Sequence, residues 1–302
     1  MAVLLDASAR VLAVGATGPY GRAQIAFMRS AGTVVVAAAA LGRGGGELED
    51  APVYDQVTDA VMASGANTAM IYAPAGGVKQ AIMDCADAGL RLAAVAAEFV
   101  PAHDALYAVA YARERGLCIV GPNTVGISSP GKAMLGAIAP SFTQPGPVGL
   151  IGRSGTMTML IARQLSSHGV GQSTLVHIGG DDVTGANPHE WLAWFLADPE
   201  TQVVAFVSEI GGTKEYAMLD TIHSASKPVV AMVVGRHAPV GKRMGHAGAL
   251  IGGDRETATA KMSALQAAGA QVATAPSELV RLIRANLPDR LGALGPAAGD
   301  AA

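Results

Sequence analysis

At 302 residues the chain exceeds what one hydrophobic core ordinarily supports, so two domains of usual size are expected. Half of its residues are apolar and 15% are charged, and a formal net charge of −3 without a basic stripe excludes the electrostatic footprint of a nucleic-acid binder. Aromatics make up only 4% against 38 glycines, so the core must be built from Val, Ile, Leu, Ala and Met, a composition suited to parallel sheets with closely packed helices.

The chain opens with MAVLLDASARVLAVGATG, which lacks a basic n-region and is interrupted by Asp6 and Arg10, so no signal peptide is expected. No apolar stretch approaches the roughly 20 residues needed to span a bilayer. Cys85 and Cys118 form no CxxC and no metal-ligand spacing with any histidine, which predicts neither a disulfide scaffold nor a metal site. The expectation is a soluble, cytoplasmic protein with no membrane association.

Short β-branched runs alternate with helical patterns, the signature of βαβ units. The first series of strands is 11–16, 34–39, 69–74, 92–97 and 117–122, with an amphipathic helix over 78–88 stopped by Gly89. Residues 1–127 therefore read as a Rossmann-like domain. The stretch 128–147 is rich in proline and glycine and reads as a linker. A second series follows at 148–152, 173–179, 203–211, 228–235 and 271–275, so that 148–290 forms a second α/β domain, and 291–302 reads as a flexible tail. The helix after Gly155 places Met157, Leu160, Ile161, Gln164 and Leu165 on one face.

The first strand runs into GATGPYG, with glycines at 15, 18 and 21. A strand, a glycine loop and a helix start make an anion cradle from converging backbone N–H groups. The spacing departs from the dinucleotide fingerprint G-x-G-x-x-G, and such glycines also serve tight turns alone. An NAD site would want a carboxylate about 20 residues on. That region reads AALGRGGGE, and Arg43 there suits an additional phosphate, as in NADP or coenzyme A, unless it is a solvated loop charge. A second anion site is expected at GLIGRSGT, where Ser154, Gly155 and Thr156 begin a helix beside Arg153. The plainer reading of Ser154 is an ordinary helix cap.

Between Gly235 and Gly241 lie five residues where a Walker A loop has four, and Arg243 stands where Ser or Thr is required, so GRHAPVGKR is not a phosphate loop of that class. His246 differs from the other histidines in its surroundings. Gly245 and Ala247 leave it unobstructed, and Lys242 and Arg243 supply positive charge. An imidazole that attacks a phosphoryl group needs open space, an anion cradle and a carboxylate that fixes its tautomer. Glu209, at the C-terminal end of a predicted parallel strand in SEIGG, is the candidate carboxylate, with helix capping as its alternative role.

GKRMGHAGAL, SEIGG, GRSGT, GQSTLVHIGGD, GPN and GATGPYG, in these separations, resemble the alpha subunit of succinyl-CoA synthetase and its ADP-forming relatives, from about Leu4 to about Leu287. The resemblance implies an α/β chain with an N-terminal Rossmann-like CoA-binding domain followed by a flavodoxin-like ligase domain. It implies His246 as a phosphorylated histidine with Glu209 as its partner, and Ser154, Gly155, Thr156, Gly245 and Ala247 around the phosphate. For coenzyme A it implies Thr17, Gly18, Pro19, Tyr20, Arg43, Ala96, Ala97, Glu98 and Asn123. It further implies an ATP-grasp beta subunit that carries ATP or GTP with Mg, a small mono- or dicarboxylic acid substrate, and an acyl phosphate between acid and thioester.

Several positions depart from the family pattern. Arg43 replaces lysine, Thr124 replaces cysteine in GPNTVG, and in SGTMTML Met159 replaces tyrosine and Leu160 replaces glutamate. PSFTQPG stands where the family has GHIHKPG. Thr124 and Met159 lie where acid and thiol would meet, so the resemblance implies retained phosphoryl transfer with the acid left open. Two other classes stay open on sequence grounds: an NADP-dependent oxidoreductase, and a CoA-binding regulatory protein without turnover.

Overall fold

A computed structural model describes residues 3–239 and 241–288; the expected tail lies outside them. The chain divides into two compact units, one formed by 4–138 with 177–186, the other by Val3, 139–176 and the described residues from 187 on.

The first unit carries β1 (Arg10–Val14), α1 (Pro19–Ser30), β2 (Val34–Ala39), β3 (Glu47–Leu48), β4 (Ala51–Tyr54), α2 (Val57–Ser64), β5 (Thr68–Ile71), α3 (Val78–Asp87), β6 (Leu92–Val95), α4 (Ala102–Glu114), β7 (Cys118–Val120), β8 (Gly126–Ser129) and β9 (Ala133–Gly136). Its sheet runs β3-β4-β2-β1-β5-β6-β7. All pairings from β4 to β7 are parallel; β3 pairs antiparallel with β4. The core packs Leu12, Val14, Ile71 and Val95 against Ile82 and Cys85, and Ala37, Ala69 and Ala93 keep it thin. Parallel strands end at one edge, so the loops after β1, β2, β5, β6 and β7 converge there. β2 and β5 flank β1 on opposite sides, which makes that edge the topological switch point.

The second unit carries β10 (Pro145–Gly152), α5 (Gly155–Ser167), β11 (Gln172–His177), α6 (Pro188–Ala197), β12 (Val203–Glu209), α7 (Leu219–His223), β13 (Val229–Val234), α8 (Ala258–Ala267), β14 (Gln271–Ala273) and α9 (Pro276–Ala285). Its strands lie in the order β14-β13-β12-β10-β11, with β10, β12, β13 and β14 parallel neighbours. Every residue of β12 is buried, as a central strand covered on both faces requires. Gly149 lets α6 lie directly on β10, since a Cβ there would stand 2.4 Å from the Phe195 ring.

Three features differ from the sequence reading. The stretch 128–147 is not devoid of elements: β8 and β9 pair as an antiparallel hairpin, and β10 begins at Pro145. Short β3 and β4 were not predicted, because two and four residues give no period to detect. The buried face of α5 is Thr158, Ile161, Ala162 and Leu165, whereas Met157 and Gln164 are half-buried and Leu160 is exposed. Small residues let α5 roll toward the strand: a Cβ on Gly152 would lie 1.6 Å from the Thr158 hydroxyl, which donates back to Ser154 O at 2.6 Å.

α8 starts at Thr257, whose hydroxyl accepts from the Ala260 N–H at 3.2 Å. Thr257→Ala is expected to lower stability by about 1 kcal/mol. Urea unfolding should show the midpoint shifted down with an unchanged slope; an unchanged midpoint would show that the cap contributes nothing.

Candidate functional site

The expected CoA residues of the first unit all leave the sheet at its C-terminal edge. Gly18 is the N-cap of α1 with no side-chain cap bond, Pro19 follows as the first helical residue, and no acid stands in the first turn. Thr17 is half-buried and Tyr20 is 60% exposed. A Cβ on Gly18 would meet nothing within 4 Å, so the glycine opens space outward, whereas a Cβ on Gly21 would stand 2.6 Å from the Ala16 backbone and block α1 from packing. Burial and the Glu98 carboxylate push the Tyr20 phenol above its ordinary value. Ala96 and Ala97 are half-buried, and Ala97 O accepts from the Asn123 N–H at 2.8 Å, which brings Asn123 to the loop after β6. The Asn123 amide donates to Asp181 Oδ1 at 3.0 Å.

Arg43 is exposed in the loop after β2. That loop is shaped by Asp55, whose Oδ1 accepts from the Gly44 and Arg43 N–H groups, both at 2.9 Å, and these bonds hold its carboxyl below the usual carboxylate range. A cavity of about 430 Å3 opens on the same edge, lined among others by Val14, Gly15, Ala40, Asp55, Gln80 and Asp84. Its acids are engaged locally, Asp55 with the loop and Asp84 with the Gln80 amide at 2.7 Å.

Thr124 lies in the segment between β7 and β8. The residue is buried; its hydroxyl donates to His177 O and accepts from the Gly126 N–H at 2.8 Å. It ties residues 177–186 to the rest of the first unit. Met159 is half-buried on α5.

In the second unit the strand ends bring His246 and Glu209 together. His246 Nδ1 stands 2.8 Å from Glu209 Oε2, with the His246 side chain 28% exposed and that of Glu209 4%. A carboxylate facing Nδ1 favours the tautomer that carries the ring proton on that nitrogen. The 241–251 loop is held by its own backbone: Met244 N–H donates to Ala249 O at 2.9 Å and Ala249 N–H to His246 O at 3.2 Å. Gly245 has φ +85°, so the loop needs glycine for its left-handed backbone, and a Cβ there would meet nothing within 4 Å. Gly211, with φ +82°, shares that need and adds a second. A Cβ on it would stand 2.0 Å from Gly248 O, so only glycine lets the turn after Glu209 touch the histidine loop.

Ser154 caps α5, accepting from the Met157 N–H at 3.4 Å; Gly155 is buried and Thr156 exposed. Arg153 does not face outward as a phosphate charge. It is buried, with Nη2 3.5 Å from Glu209 Oε1, Nη1 3.0 Å from Glu215 Oε1, and Nη1 donating to Gly211 O at 3.1 Å. Lys261, fully buried on α8, pairs with Glu215 Oε2 at 2.8 Å and donates to Glu209 O and Gly211 O at 2.9 and 2.6 Å. Ser208 Oγ donates to Glu215 Oε1 at 2.6 Å. Burial raises the Glu215 carboxyl, but Arg153, Lys261 and the Ser208 hydroxyl outweigh it and hold the acid below its ordinary value. Burial lowers the Lys261 ammonium against the opposing pull of Glu215.

Sequence reasoning missed Glu215, Lys261, Ser208 and Asp55. A signal existed for Lys261: it lies three residues after Ala258 and four before Leu265, on the face that α8 buries. Nothing local marks Glu215, which sits in a short helical turn, 214–218.

A family model described as a CoA binding domain matches residues 6–99, and one described as CoA-ligase matches 151–271. The first span contains the loops at 17–20, 43 and 96–98, the second Ser154, Glu209 and His246. The alpha 2 subunit of an ADP-forming succinate–CoA ligase from Archaeoglobus fulgidus is 44% identical over 94% of this chain and 99% of its own length. The alpha subunit of malate–CoA ligase from Methylorubrum extorquens is 39% identical over 91% of this chain and 95% of its own. Among solved structures, ATP citrate lyase from Methanosaeta concilii in complex with (3S)-citryl-CoA matches 95% of this chain with a TM-score of 0.86 at 26% identity. This chain spans about half of that lyase, 51%. No helix among the described residues is long and apolar enough to cross a membrane. With a CoA binding domain followed by a CoA-ligase domain, and full-length relatives of this identity, the chain belongs to the succinate–CoA ligase alpha-subunit family of acid–thiol ligases.

Proposed function

We propose that the chain is the CoA-binding, phosphohistidine-bearing subunit of a nucleoside-diphosphate-forming acid–CoA ligase, with His246 as the phosphorylated residue. The observation that carries this reading is the 2.8 Å contact between His246 Nδ1 and the buried Glu209 carboxylate, on a histidine whose side chain is partly exposed. Nε2 attacks the terminal phosphorus of a nucleoside triphosphate, and the bond to the diphosphate breaks. Glu209 offsets the positive charge that the ring gains. A carboxylate oxygen of the acid then takes the phosphoryl group, which restores the imidazole and gives an acyl phosphate. The CoA thiolate attacks the acyl carbon and inorganic phosphate leaves. N–H groups at the start of α5, over Ser154, Gly155 and Thr156, with Gly245 and Ala247 beside the histidine, would hold the phosphoryl oxygens.

Coenzyme A would lie along the C-terminal edge of the first sheet, its pyrophosphate at Thr17–Tyr20, with Arg43, Ala96, Ala97, Glu98 and Asn123 around it. Gly18 supports this placement, because it leaves the start of α1 uncapped and open. The triphosphate and its Mg would be supplied by an ATP-grasp beta subunit. The acid is a small carboxylic acid, and the succinate, malate and citrate named for the relatives support a di- or tricarboxylate. Met159 on α5, where the family has tyrosine, is the position in this chain most suited to setting that choice.

Incubation of the co-expressed complex with [γ-32P]ATP should give an acid-labile, base-stable label that is absent in His246→Ala, and an unlabelled active complex would overturn the assignment. Gly18→Trp should fold normally, since its side chain enters open space, and should weaken CoA binding by about tenfold or more through loss of a charge-assisted contact. Calorimetric titration reads that difference; unchanged affinity would remove the loop from the CoA site.

A further inference from the structure

Glu209 has two cations as well as a histidine within reach, and the cluster is arranged so that it does not commit to them. Its Oε1 makes no hydrogen bond, and Arg153 Nη2 stays 3.5 Å away. The same guanidinium comes closer to Glu215, at 3.0 Å, and Lys261 pairs with the other Glu215 oxygen at 2.8 Å. Two carboxylates and two cations thus balance in a site where each side chain is at most 4% exposed. Buried charges of this kind take the nearest compensating partner, because water cannot screen them. Without the Glu215 charge, Arg153 would turn to Glu209 Oε1 and draw the carboxylate off the imidazole.

Lys261 adds a second constraint. Its ammonium ties Glu209 O and Gly211 O together, and Arg153 also donates to Gly211 O, so the end of β12 and its turn are held from α8 and from the loop before α5. That turn is the one whose glycine touches Gly248 O in the histidine loop.

We propose that Glu215 and Lys261 are positioning residues: Glu215 absorbs the charge of Arg153 and Lys261 so that Glu209 stays on His246 Nδ1, and Lys261 fixes the strand end that carries Glu209. The inference deepens the assignment of His246 as the phosphorylated residue and rests on it for its effect on rate.

The test uses the full chain with 15N-labelled histidine, the His246 ring resonances being assigned by their absence in His246→Ala. In Glu215→Gln and Lys261→Met the Nδ1–H proton and the Nε2 nitrogen of His246 should move away from their wild-type positions. In the complex with the beta subunit, histidine phosphorylation should slow by about 10²-fold, the scale of a small misplacement, with KM for CoA unchanged. Lys261→Arg, which keeps the charge, should lie nearer wild type than Lys261→Met. Ser208→Ala removes only a hydroxyl from Glu215 and covers the case in which Glu215→Gln does not fold. Variants that unfold cooperatively with unchanged His246 resonances and unchanged phosphorylation rate overturn the proposal. A wild-type complex that carries no label on His246 overturns the phosphohistidine assignment instead, while the ring resonances still report whether Glu215 positions Glu209.

Discussion

Glu209 stands between an imidazole and a guanidinium, and the second half of the molecule is organised around which of them it serves. A carboxylate at the end of a buried strand cannot be left to water, so its surroundings have to satisfy it without capturing it. Arg153 at 3.5 Å gives compensation at a distance, and His246 at 2.8 Å takes the short contact. Glu215 and Lys261 make this division possible, because they hold each other and relieve Glu209 of being the nearest anion for two cations.

The glycine-rich composition acts in two distinct ways around that pair. Gly245 supplies a left-handed backbone, and the space over it is open. Gly211, left-handed as well, also permits a contact that any Cβ would break. In the first unit the same distinction separates Gly18, which leaves the start of α1 clear, from Gly21, which lets α1 sit on the strand. A motif with three glycines therefore mixes residues that shape a ligand cradle with residues that only pack, and spacing alone does not sort them.

The long, fully buried strands were legible because four to seven apolar residues between helical patterns leave few other readings; β2 falls on the expected residues and β12 ends at Glu209 as its motif suggested. Short or paired elements were not legible. The β8–β9 hairpin lies in proline- and glycine-rich sequence and owes its pairing to a partner strand. Residues 177–186 follow a strand of the second unit yet belong to the first, held by Thr124 and Asn123, contacts separated by more than 50 positions in sequence. The inward turn of Arg153 was not legible either, because a loop arginine at a helix start gives no sign of which way it points.

By itself the sequence determined the alternation of strands and helices, the glycine loop before α1, the conspicuous histidine and the strand-end glutamate, because each follows from local periodicity or from residue types that few structures use together. The tertiary structure decided which charges meet. Glu215 and Lys261 come from a short turn and a distant helix, and their pairing exists only once α8 is laid against the end of β12. Water is excluded there by the fold as a whole, and exclusion is what turns four separate side chains into one electrostatic unit.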